Sequence, residues 1–166
     1  MDILWSPWRL QYVQDSSAKG YGCIFCILPQ RGDDGANYIV FRGRENYIVL
    51  NLFPYTTGHV LIVPFAHIAL LSEAAKAITD EMMELAKQCQ KALASIYKPD
   101  GFNLGMNLGG AAGAGVAEHF HLHLLPRWIG DTNFMTAVGE TRVLSESLQD
   151  TYRKLRDYFQ SQSFPE

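Results

Sequence analysis

The chain has 166 residues, enough for one domain with a substantial core and too few for two of ordinary size. With 48% hydrophobic residues, 19% charged residues and a formal net charge of -3, it reads as an ordinary globular protein, which excludes a disordered chain and a broad nucleic-acid-binding surface. No apolar run reaches the length of a membrane span and the opening MDILWSPWRLQYV lacks the pattern of a secretory signal, so a soluble cytoplasmic protein is expected.

The opening stretch WSPWRLQYVQDSSAKGYGC mixes aromatic residues with turn formers and is expected to pack over the domain as a short helix and loop. β-Rich runs follow near Asn37 to Phe41, Tyr47 to Asn51 and His59 to Pro64, separated by turn-forming clusters at spacings that favour antiparallel neighbours. From Ser72 the apolar residues fall at helical spacing. A short helix is expected first, with a restart at Thr79, where Thr-Asp-Glu-Met resembles an N-cap region, and a stop at Pro99-Asp100-Gly101. GFNLGMNLG then reads as a strand, GGAAGAG as a loop and VAEHFHLHLLPRW as a second strand, and the tail from Ser145 to Phe159 is again helical. Strands, a helix, two strands and a helix, without regular βαβ alternation, indicate an α+β fold with a mostly antiparallel sheet.

The run EHFHLHLLPRW places His119, His121 and His123 on alternate positions. On a strand these share one face while Phe120, Leu122 and Leu124 share the other, so the apolar set can face a core and the imidazoles line a surface. At about 3.3 Å per residue the outer two are about 13 Å apart, too far for one metal with bonds near 2 Å to hold all three. That suggests separate jobs: one histidine on a metal, the others left for chemistry. A polar-out strand that happens to carry histidines is the plainer alternative, but such strands ordinarily use Thr, Lys or Glu. The loop NLGGAAGAG directly precedes the run. Its small residues let backbone N–H groups converge on an anion, so Gly113, Ala114 and Gly115 are candidate phosphate contacts. A neutral imidazole nitrogen can attack phosphorus, and His121, at the centre, is best placed to do so if its Nδ1–H is held by a polar group.

Cys23 and Cys26 have the Cys-x-x-Cys spacing of a zinc half-site, which needs two further ligands. A thioredoxin-like redox pair is the alternative, but it expects a βαβ context that is not apparent. His67, after a strand run, and His119 are the candidates that complete a Cys2His2 set. Such a zinc would be structural, pinning the N-terminal loop to the histidine strand. His59 is expected to be a strand-end residue with a local hydrogen bond, and Cys89 a small core residue.

The run from His119 to Leu125 resembles the signature of the histidine triad superfamily, three histidines alternating with apolar residues. The resemblance extends through Asn51 in VLNLFPYTTGHVLIVPFAH, the helix after it, Asn107 before the glycine loop and Pro126-Arg127 after the triad. It implies a five-stranded antiparallel sheet with a long helix and a C-terminal helix, a homodimer whose sheets join, and nucleotidyl transferase or hydrolase chemistry at an α-phosphate. It makes His121 the nucleophile and His123 a phosphate-contacting neighbour, puts Asn51 at the ribose and Asn107 on the phosphate side, and assigns zinc to Cys23, Cys26, His67 and His119. Many triad hydrolases carry Gly-Gln-Ser/Thr-Val before the histidines; here the stretch is Gly113-Ala114-Gly115-Val116-Ala117-Glu118, without those amide and hydroxyl side chains. WSPWRLQYV and AEHFHLHLLPRWIGDTNFM instead resemble the bacterial branch that includes diadenosine tetraphosphate phosphorylases. In that branch inorganic phosphate takes the nucleotide, giving ADP and ATP. Hydrolysis of dinucleoside polyphosphates or nucleoside phosphoramidates, and nucleotide binding without turnover, are the alternatives. The expected organisation is a single domain over 1–166, with a zinc-binding segment (1–35), a catalytic core (36–130) and a C-terminal extension with a helix (131–166).

Overall fold

Alternation along the strands sends neighbouring side chains into two different cores. In the computed structural model, which describes residues 22–132, 134–139 and 143–162, the first three strands are β1 (Ile39–Arg42), β2 (Asn46–Leu50) and β3 (Val60–Pro64). Ile39, Tyr47, Val49, Leu61 and Val63 face one apolar cluster, while Val40, Ile48, Leu50, Val60 and Ile62 face the other. A period of two explains the division, and burial on both faces explains why these strands read as nearly continuous apolar runs.

The larger cluster lies under two helices. The first, Lys76–Tyr97, buries Ile78, Met82, Leu85, Ala86, Cys89, Ala92 and Leu93, a stripe at helical spacing. It ends where Lys98 turns left-handed ahead of Pro99. The second, Leu148–Ser161, buries Thr151, Leu155 and Phe159, and its first turn is capped by Ser147 Oγ accepting from Asp150 N–H at 3.1 Å. The smaller cluster is closed by a single turn of helix, Ile24–Ile27, which inserts Phe25. In chain order the helices are α1 (Ile24–Ile27), α2 (Lys76–Tyr97), α3 (Phe134–Gly139) and α4 (Leu148–Ser161).

With β4 (Gly101–Met106) and β5 (Leu122–Arg127), the sheet has five strands in the order β1-β2-β3-β5-β4, and every neighbouring pair is antiparallel. The α+β fold with a five-stranded antiparallel sheet is therefore the observed one. Glu81 on α2 ties that helix to the β1–β2 hairpin. Its carboxylate accepts from the backbone N–H groups of Arg44 (2.7 Å), Glu45 (2.9 Å) and Asn46 (2.7 Å) and from Asn46 Nδ2 (2.8 Å).

Three local expectations change. The long helix restarts at Lys76 rather than Thr79: Ala75 is the N-cap, and the Thr79 hydroxyl donates back to Lys76 O at 3.0 Å from inside the first turn. The last strand starts at Leu122, later than the alternation from Val116 suggested. Pro64 has no N–H to extend the β3 ladder, its carbonyl accepts from the His119 ring at 2.9 Å, and Phe120 N–H turns away to Ile68 O at 2.8 Å. The short helix α3 was not anticipated. The short helix and loop expected over the opening lies outside the described residues, and among those described no helix is long and apolar enough to cross a membrane.

Candidate active site and metal centre

The histidine run sits at the entrance to β5, beside the end of β3 and beneath α1. Phe120, Leu122 and Leu124 face the larger core, as their alternation requires, but the opposite face is not the open surface expected from the sequence. His119 is fully buried and His121 is 5% exposed, because α1 folds over them. The Phe25 ring centroid lies 4.7 Å from that of His121 and 5.5 Å from that of His119. The Phe25 carbonyl in turn accepts from the buried Tyr47 hydroxyl at 2.7 Å, which fixes the turn to β2.

Cys23, Cys26, His67 and His119 bring their donor atoms within 4.8 Å of one another. His119 Nδ1 lies 3.3 Å from Cys23 Sγ and 3.5 Å from Cys26 Sγ, and His67 Nδ1 lies 3.4 Å from Cys26 Sγ. Around a tetrahedral ion with bonds of about 2.3 Å to sulfur and about 2.0 Å to nitrogen, an S–N edge is about 3.5 Å, so the donor set fits such an ion. The His119 ring is oriented for it: its Nε2–H donates to Pro64 O, leaving the Nδ1 lone pair for a metal. Burial, and then the adjacent Cys23, pushes the Cys26 thiol up to about 11. A bound cation reverses that balance and takes the thiolate. Cys23 is the N-cap of α1 and Cys26 lies within it, so one turn of helix brings both sulfurs to the two imidazoles.

His121 is held differently. Its Nδ1–H donates to the carbonyl of His119 at 3.0 Å, so Nε2 carries the lone pair. Burial pulls both His119 and His121 below the ordinary imidazole value, against the carbonyl bonds that favour the charged form, so the neutral ring with an available lone pair is the resting state.

His123 belongs to a second hydrogen-bonded chain, and here the sequence reading was incomplete. His59, a strand-end residue as expected, is almost fully buried, and its Nε2 lies 3.0 Å from His123 Nδ1. Its own Nδ1 accepts from Tyr55 N–H at 3.1 Å and lies 3.3 Å from Asn51 Nδ2. The Asn51 amide is oriented by Phe53 N–H, which donates to Asn51 Oδ1 at 2.9 Å. With donors at its Nδ1, His59 carries its proton on Nε2 and donates to His123 Nδ1, so His123 carries its own proton on Nε2. The ring centroids of His121 and His123 are 4.8 Å apart, which sets an imidazole with its lone pair on Nε2 beside one with its proton on Nε2. The contact between His59 and His123 follows from register: Leu61 pairs with His123, and His59 lies two residues before Leu61 on the same face. Period two could place His59 on a face, but only strand pairing could place it diagonal to His123.

The expected phosphate loop follows β4. Gly109 and Gly113 have φ of 83° and 84°, so these bends require glycine-like backbone. Asn107 Nδ2 donates to Gly113 O at 3.4 Å and closes the loop on itself. Gly113 N–H and Ala114 N–H donate to Gly110 O and Gly109 O within a 3-10 turn, whereas Gly115 N–H is not among the backbone donors of that turn. Asn51 likewise has its side chain turned inward to Phe53 and His59.

A family model described as HIT domain matches residues 36–128. The Mycobacterium tuberculosis protein named AP-4-A phosphorylase is 36% identical over 159 residues, covering 92% of this chain and 81% of its own length. Among solved structures, a Zn-bound histidine triad family protein from Mycobacterium smegmatis superposes with a TM-score of 0.68 at 25% identity, over 84% of this chain and 94% of that one. A histidine triad nucleotide-binding protein from Sulfolobus tokodaii gives 0.67 at 26% identity, over 83% and 92%. The matched span runs from before β1 to just beyond β5 and contains the His119, His121 and His123 run, so the chain belongs to the HIT domain family.

Proposed function

We propose that the chain is a cytoplasmic nucleotidyl transferase that acts on dinucleoside polyphosphates through a nucleotidyl-His121 intermediate, with inorganic phosphate as acceptor. The observation that carries the reading is the tautomer of His121: the bond from Nδ1–H to the His119 carbonyl leaves Nε2 as the nucleophilic atom. In diadenosine tetraphosphate, Nε2 attacks the α-phosphorus, a P–N bond forms, and the bond from that phosphorus to its bridging oxygen breaks, releasing ATP. A phosphate oxygen then attacks the same phosphorus, the P–N bond breaks, and ADP leaves. His123 Nε2–H, set by His59, donates to the phosphate oxygens or the departing bridge and stabilises the charge that develops there. Gly115 N–H contacts the phosphates, with the Gly113–Ala114 turn and Asn107 shaping the loop around them. Asn51 reaches the ribose only by exchanging part of its present bonding to His59. Similarity to a protein named AP-4-A phosphorylase supports the choice of substrate and acceptor.

Zinc is the metal proposed for Cys23, Cys26, His67 and His119. It supplies structure: four bonds that hold α1, and with it Phe25, against the histidine run. A zinc-bound relative of the same fold supports this identity. A homodimer is proposed through the edge of β4, where Leu104 is 49% exposed.

The test is to incubate the purified protein with diadenosine tetraphosphate, with and without inorganic phosphate, and identify products. ADP plus ATP, dependent on phosphate and abolished in His121→Ala, is expected. AMP plus ATP would make the protein a hydrolase; undiminished turnover in His121→Ala would end the nucleophile assignment; tight nucleotide binding without any product would make it a binding protein. Metal analysis of the purified protein, expected to give about one zinc per chain and far less in Cys26→Ser, tests the metal.

A further inference from the structure

The proposed chemistry uses His123 as a donor, and the Tyr55 ring lies beside both histidines responsible for that state. Tyr55 lies in the loop between β2 and β3. Its backbone N–H donates to His59 Nδ1 at 3.1 Å, its ring centroid is 4.8 Å from that of His59, and its ring lies nearly parallel to His123, at 12° and 6.2 Å between centroids. The same residue therefore bears on the His59 tautomer through its amide and on the planes of both imidazoles through its ring.

The loop is braced so that these contacts hold. Thr56 Oγ1 donates to Pro126 O at 3.1 Å, tying the residue after Tyr55 directly to β5, the strand that carries His123. His59 N–H donates to Thr56 O at 3.3 Å and Asn51 N–H to His59 O at 3.1 Å, closing the loop on both sides. The left-handed turn at Gly58, packed against Leu93, fixes where His59 leaves the loop. A hydrogen bond between two imidazoles is directional at both ends, so a ring rotation that left each centroid in place would still break it. The Tyr55 ring, tilted at 45° to His59 and nearly parallel to His123, fills the space into which the imidazoles would turn and opposes that rotation.

We propose that Tyr55 is a positioning residue for the reaction: its ring holds the His59–His123 pair in register so that His123 keeps its proton on Nε2 and presents it to the phosphate or the departing group. The proposal rests on the role given to His123 above and goes beyond it by naming what holds that role in place. The phenol hydroxyl has no part in it. Replacement by phenylalanine keeps both the amide and the ring, whereas replacement by alanine keeps the amide and removes the ring.

The test compares Tyr55→Phe and Tyr55→Ala in the full, metal-loaded chain. The assays are steady-state turnover of diadenosine tetraphosphate and long-range 1H–15N correlation of the imidazole nitrogens without substrate. Tyr55→Phe is expected to match the parent in both. Tyr55→Ala is expected to lose about 10- to 100-fold in kcat, with KM within about twofold, as befits misplacement of a group that acts in the transition state. The His123 nitrogens should shift from one donor and one acceptor signal toward averaged tautomers. Retention of kcat and of the single His123 tautomer in Tyr55→Ala overturns the proposal. So does loss in Tyr55→Phe equal to that in Tyr55→Ala, which would mean that the hydroxyl acts on the substrate. If the parent protein turns over no dinucleotide, the proposed reaction falls, and the nitrogen spectra of the variants still decide whether Tyr55 positions the pair.

Discussion

Replacing Gly58 with alanine should destabilise the protein through two separable effects. Gly58 has φ of +82°, and a Cβ there would lie 2.9 Å from Leu93 Cδ2 and 3.3 Å from both Pro126 Cγ and Tyr97 Cε2. The left-handed backbone costs an alanine about 1–2 kcal/mol. Leu93 is fully buried, so its methyl has little room to retreat, and the overpacking adds about 1–3 kcal/mol. The sum is about 2–5 kcal/mol, or about 4–20 °C in Tm for a chain of this size. Gly113→Ala is the internal control: its φ is +84°, but a Cβ would meet nothing within 4 Å, so only the backbone cost of about 1–2 kcal/mol applies. Urea denaturation of both variants measures the difference directly. A Gly58→Ala protein no less stable than Gly113→Ala would refute the reasoning, because it would mean that the close approach to Leu93 costs nothing.

Glu81→Ala should cost about 2–4 kcal/mol in urea midpoint analysis, because it leaves the N–H groups of Arg44, Glu45 and Asn46 without their shared carboxylate; a change below about 0.5 kcal/mol would show that water replaces it fully. Glu146 gives a pH dependence. Burial raises its pKa, but hydrogen bonds from Lys154, Tyr97 and Thr151 outweigh that and hold the carboxyl below its ordinary value. A folded-state pKa below the unfolded one contributes stability that is complete above the unfolded carboxylate pKa and is lost as pH falls through the lowered folded value. Denaturation midpoints measured from neutral pH down through the carboxylate range should therefore fall more steeply in the parent than in Glu146→Gln, and parallel curves would remove Glu146 from the account.

Much of this molecule was determined by local pattern alone. Period-two alternation in His119 to Leu125 specified faces, helical spacing specified the buried stripe of α2, and Cys-x-x-Cys with two later histidines specified a candidate donor set, whereas β1 to β3, apolar on both faces, were legible as strands only. Each of these depends only on backbone geometry between near neighbours in sequence. Boundaries were less legible because they turn on single bonds between distant residues. The His119 ring takes the Pro64 carbonyl and shortens β5, and Ala75 rather than Thr79 caps α2.

What only the tertiary structure decided is the protonation pattern of the site. Which nitrogen of His121 is free depends on a carbonyl two residues back that is aimed correctly only when β5 starts where it does. Which nitrogen of His123 bears the proton depends on His59, brought alongside by the pairing of β3 with β5, and on the amide of Tyr55 in a loop whose turn needs Gly58. Sequence supplies the imidazoles and their faces. The direction of each hydrogen bond is a property of the fold, because donors and acceptors that lie far apart in the chain must first meet.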